Sequence, residues 1–269
     1  GLYNTLIGGL AGDAITTANS NTAVGSTALT ATTTGAENTA VGQNSLASNT
    51  TGAGNVAVGQ AALDANTTGL QNTAVGKSAL GANTTANSNT AVGYEALKIS
   101  TTGSSNVAVG LGSMKANTTG SSNVSLGLNC LMTSTTGYDN VAAGHDTMLF
   151  NTTGHSNTAL GRRALYNNTT AADNTAVGKD VLFANTSGTN NTAVGKDALV
   201  SNTTGAYITA IGNDALGSNT SGSHSVAIGR FALLASTNSS NNVAVGNEAL
   251  RSNTTGLQNT AVGHAALDA

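Results

Sequence analysis

The stretch 72-NTAVGKSALGANTTAN-87 is written again, with few changes, at 89-NTAVGYEALKISTTGS-104, and before it at 55-NVAVGQAALDANTTGL-70. The glycine of N-T-A-V-G sets the phase. It falls at residue 8 and at every seventeenth residue thereafter, up to 263, without an insertion. Sixteen copies, the last one short, share the pattern N-T-A-V-G-x-x-A-L-x-x-N-T-T-G-x-x. Its residues are called positions 1 to 17 below. A fixed internal period decides the architecture before any other signal does.

Seventeen residues are too few for a helical hairpin. The T-A-V segment alternates and is rich in β-branched residues, which marks a strand. The glycine at position 5 and the T-T-G at positions 13 to 15 mark turns. Two short strands and two turns fit in one repeat, so each repeat is expected to be one coil of an all-β, parallel β-solenoid. Coils stacked at about 4.8 Å would make a rod roughly 75 Å long. The unbroken phase predicts a single repeat domain over residues 1–269. The chain begins at Gly1 and stops at Ala269 inside repeats, with no polar cap at either end, from which a segment of a longer protein is expected.

Composition excludes several function classes. Charged residues are 8% and aromatics 3%, with no Pro and no Trp, which is too little bulk for an ordinary globular core. A net charge of −3 gives no basic face for nucleic acid. No apolar run long enough to enter a membrane occurs. Cys130 is alone, which excludes a disulfide framework or a paired-cysteine metal site. It stands at position 8, usually Ala, as a small apolar substitute.

The columns differ in what they tolerate. Position 4 is Val, Ile or Leu in every copy but Ala143, and position 2 is only Thr or Val. Position 9 is Leu in thirteen of sixteen copies. These three columns are expected inside the coil. Position 3 is Ala in fourteen of sixteen copies and alternates with positions 2 and 4. It is therefore expected to face outward against a close neighbour, which makes Ala74, Ala91 and Ala108 interface candidates. All 21 charged residues fall at positions 6, 7, 10 or 17, as a fixed inside and outside require. Asn at positions 1 and 12 can form stacked hydrogen-bonded columns. Thr at position 13, present in all fifteen copies, is expected to bond within its own turn. The glycine at position 5 is expected in a conformation closed to other residues.

With these columns sorted, N-T-A-V-G followed by x-x-A-L resembles the head repeats of trimeric autotransporter adhesins, the YadA-like head. Similar repeats occur in phage fibres and bacterial surface proteins. The resemblance implies a left-handed parallel β-roll, three of which pack around a threefold axis. It places Thr73 and Val75 inside the roll and Ala74 at the contact. It further implies an extracellular structural or adhesive segment on a cell surface or virion, with itself as partner and a host-surface or matrix ligand as a further one. A monomeric solenoid that binds ice or glycans is the alternative.

No catalytic constellation, cofactor motif or metal set emerges. His145, His155, His224 and His264 lie in variable outward slots on different coils. Asp180, Asp197 and Asp214 stack at position 7, close enough in principle for calcium, but Lys179 and Lys196 sit beside two of them. Ten N-x-[ST] sequons fall at position 12, where turn chemistry explains them. An ice-binding array is disfavoured, because the adjacent threonines at 13 and 14 cannot share one face and Thr at position 2 is placed inside.

One surface feature remains. Position 10 carries Asp64, Lys98, Lys115 and Arg251 on other coils. On five consecutive coils it reads Met132, Leu149, Tyr166, Phe183 and Val200. Such a row marks a contact surface. It either tightens a trimer or receives an external partner or a neighbouring fibre.

Overall fold

In the computed structural model, residues 1–268 are described. The protein is an all-β, parallel β-solenoid, without a helix among the described residues. Sixteen three-residue strands, one per repeat, run from β1 (Thr5–Ile7) to β16 (Thr260–Val262). By internal contacts the chain forms two compact units, Gly1–Thr136 and Gly137–Ala269. The first holds the strands up to β8 (Val124–Leu126), the second those from β9 (Val141–Ala143) onward. Within each unit every strand pairs in parallel with the next, without slippage: Thr73 lies beside Thr90, Ala74 beside Ala91 and Val75 beside Val92.

Each coil has one strand, not the two expected. The return side, positions 6 to 11, is a run of turns. Its cause is backbone sign. In the 72–88 coil Ser78 and Leu80 take φ of 55° and 51°, and the same two positions are left-handed in most other coils. Alternating left-handed residues cannot extend into a strand. A left-handed Leu costs roughly 1–2 kcal/mol. Full burial of its side chain returns about 1.5–3 kcal/mol, which decides the conformation. Return-side residues still bond from coil to coil, as in Leu80 N–H to Ala96 O at 3.0 Å and Ala82 N–H to Lys98 O at 2.9 Å.

The interior reverses the sequence assignment of the strand. Ala at position 3 is buried in every coil that has it, Ala74, Ala91 and Ala108 completely so. Leu or Met at position 9 and the small residue at position 8 complete the apolar core. Positions 2 and 4 point out: Val75 is 36% exposed and Leu126 42%. Ala74 and Leu80 are both completely buried, so position 3 shares the interior of the coil with position 9, where a small side chain is accommodated. Ala74, Ala91 and Ala108 therefore cannot form an interface with another chain. Position 3 is restricted by its own coil, not by a neighbour. Ser125, the polar exception, is accommodated because it accepts from Ser113 Oγ at 2.7 Å and donates to Cys130 O at 3.0 Å.

Two asparagine columns hold the turns. Asn72 at position 1 donates Nδ2 to Ala86 O at 2.8 Å and to Asn55 Oδ1 at 3.2 Å. Asn66 at position 12 donates Nδ2 to Asn49 Oδ1 at 2.9 Å and to Gly69 O at 3.2 Å. Threonine at position 13 acts between coils rather than within its turn: Thr67 Oγ1 donates to Thr84 O at 3.0 Å. Gly76 has φ of 133°, and a Cβ there would lie 2.4 Å from Gly93 O of the next coil. Position 5 is thus closed to side chains by both dihedral and space.

Candidate functional site

The strand face is a regular surface of each unit. Positions 2 and 4 stand about 6.5–7 Å apart along a strand, and repeat at about 4.8 Å from coil to coil. Position 4 presents an apolar column of Val, Leu and Ile, exposed at Val58, Val75, Val109, Leu160, Ile211 and Ile228. Thr or Val at position 2 runs beside it. Over eight coils the two columns cover about 350–400 Å² per unit, taking the coil spacing above and a width near 10 Å. On a soluble protein a contiguous patch of this size is commonly a contact surface. The β-branched pattern signalled this face in the sequence, but its direction was unreadable without the packing of the folded coil.

Positions 7, 10 and 11 share the opposite, return side. In the first unit this surface is charged. Glu95 takes Lys98 and Lys115, each at 2.6 Å. The ammonium groups of Lys115 and Lys98 lower its pKa to about 2. Gly81, with no side chain at position 10, leaves an open notch of about 390 Å³ between Asp64 and Lys98. Partial burial raises the Asp64 pKa above the usual carboxylate value.

In the second unit the same side carries aromatic rings beside its charges. Tyr166 and Phe183 stack with centroids 5.0 Å apart and planes 9° from parallel, and Phe150 meets Tyr166 edge-on at 5.2 Å. The Arg163 guanidinium lies 5.1 Å from the Phe183 centroid. Leu149 is buried, while Val200 is half-buried, as is Met132 on the return side of the first unit. The rings of Phe150, Tyr166 and Phe183 are engaged with one another, and Phe183 with Arg163. Much of the row's apolar character is used to join coils.

Two of the three carboxylates of the acidic column are ion-paired. Asp180 bonds Arg163 at 2.7 Å and Lys179 at 3.1 Å, and Asp197 bonds Lys196 at 2.9 Å. Burial of Asp180 opposes ionisation, but Arg163 and Lys179 outweigh it and hold its pKa below the ordinary value. Among the described residues no cluster of three His, Cys, Asp or Glu is placed to hold a metal ion. The histidines are scattered; His155 stacks on Tyr138 and His224 on Tyr207. Nine of the sequon asparagines, such as Asn66 and Asn185, are fully buried in the position-12 column, out of reach of a glycosyl donor once folded. Among the described residues no helix is long and apolar enough to cross a membrane. Comparison with protein-family models, with curated proteins and with solved structures returns no significant match.

Proposed function

We propose that this chain is a non-enzymatic, structural or adhesive segment of an extracellular fibre, on a cell surface or a virion, that self-associates as a homotrimer. The observation that supports it is the outward-facing apolar column at position 4, which is Val, Ile or Leu in every coil but that of Ala143 and is exposed or half-buried along each unit. The contact is on the strand face, at positions 2 and 4, and not at position 3. The resemblance to YadA-like head repeats agrees with a repetitive, self-packing roll. Sedimentation velocity tests it. The parent should run as a trimer, and the triple variant Val58→Lys, Val75→Lys, Val92→Lys should run as a folded monomer. A monomeric parent, or a variant of unchanged mass, rejects the reading.

A second reading has its own observation. Thr73 and Thr90 at position 2 point outward beside Val75 and Val92, so the strand face is a flat lattice of hydroxyl and methyl groups. Such a lattice can order water and bind ice. A monomeric parent with thermal hysteresis, abolished by Thr73→Lys and Thr90→Lys, would establish this alternative.

A further inference from the structure

Asn opens at position 12 with Asn49, after Ile15 and Thr32, and from Asn49 to Asn253 the column has three breaks, where Ser100, Ser134 and Ser236 stand in place of Asn. All three serines are completely buried. The asparagine one coil earlier is in each case left with a buried, unpartnered Oδ1: Asn83, Asn117 and Asn219. Asn49, Asn66, Asn168, Asn185 and Asn202 are each followed by Asn, and each has its Oδ1 filled. A buried acceptor without a donor costs about 1–3 kcal/mol, so three repeated instances call for a partner.

We propose that each break binds one internal water molecule. The chemistry of the missing group defines the ligand. In an unbroken coil the Asn carboxamide NH2 makes two donations: one to the preceding Oδ1, one to the carbonyl at position 15 of its own coil. At Ser100 the corresponding acceptors are Asn83 Oδ1 and Gly103 O; at Ser236 they are Asn219 Oδ1 and Ser239 O. A water has the same two donors, and the serine hydroxyl supplies a third bond, the usual complement for buried water. Ser is two non-hydrogen atoms shorter than Asn, which leaves room for one oxygen. A flipped carboxamide does not remove the need. Asn83 Nδ2 is held by Asn66 Oδ1 at 2.8 Å and Ala86 O at 3.2 Å, and Asn219 Nδ2 by Asn202 Oδ1 at 2.9 Å and Gly222 O at 3.1 Å. Ser236 Oγ is already engaged with Ser239 Oγ, so it does not reach back to Asn219.

Two measurements test the sites. A diffraction structure of the parent that resolves ordered water should show a peak within hydrogen-bond distance of Asn83 Oδ1 and Ser100 Oγ, with counterparts at the other two breaks. Oxygen-17 relaxation dispersion should count one long-lived water fewer in Ser100→Asn and two fewer in Ser100→Asn with Ser236→Asn. Both variants place Asn where ten other coils carry it, so they should fold. An unchanged count, or density showing the serine hydroxyl bonded directly to the preceding Oδ1, overturns the proposal.

Discussion

Asn72 and Asn55, one coil apart and both completely buried, are joined twice through a single oxygen. Asn55 Oδ1 accepts from the Asn72 backbone N–H at 2.9 Å and from Asn72 Nδ2 at 3.2 Å. The side chain of one coil thus replaces a backbone acceptor that the next coil's turn lacks. Asn55→Ala should therefore orphan a buried backbone N–H as well as remove a side-chain bond. The expected loss is about 1–3 kcal/mol for that orphaned group. Hydrogen exchange at the Asn72 amide should rise well above that at Asn106. Unchanged protection there would refute the assignment.

Ala74 and Val75 are adjacent, yet they should respond oppositely to charge. Ala74→Lys forces an ammonium into a core with no anion, at a cost of several kcal/mol. Its circular dichroism should show lost strand signal or a much lower melting temperature. Val75→Lys places the same charge on the outer face and should leave the fold intact. Equal destabilisation by the two would contradict the inward position 3.

The Glu95 cluster predicts an acid limb. Its carboxyl is lowered from 4.5 to about 2 in the folded chain. A depressed folded pKa means stability that is present above the unfolded value and lost as pH falls through the folded one. The melting temperature of the parent should exceed that of Glu95→Gln at neutral pH. This difference should shrink between about pH 4.5 and 2. A difference that does not depend on pH would show that the ion pairs to Lys98 and Lys115 are not its source.

Cys130 should be inert in the native protein. Its thiol is buried, and desolvation raises its pKa to about 11. Thiolate is the reactive form, so iodoacetamide at pH 8 should label it only after unfolding. Rapid labelling of the folded chain would place it at the surface instead.

The period, the phase and the strand were legible in 72-NTAVGKSALGANTTAN-87, because a stacked coil must repeat its turn residues at one spacing. Gly76 was legible for the same reason: its dihedral and its approach to the next coil exclude every other residue. The asparagine columns could be read too, since buried carboxamides repeat only where something above and below can bond them. Which side of the strand faces inward could not be read. Thr73, Ala74 and Val75 alternate identically whichever face is buried, and restriction to Ala fits a tight interior as well as a tight neighbour. Only the packing of the folded coil decides, with Leu80, turned through a left-handed backbone at φ 51°, completely buried together with Ala74. The same holds for Tyr166 and Phe183. Their seventeen-residue spacing showed that they align, but their stacking at 5.0 Å, which consumes the ring faces, belongs to the tertiary structure.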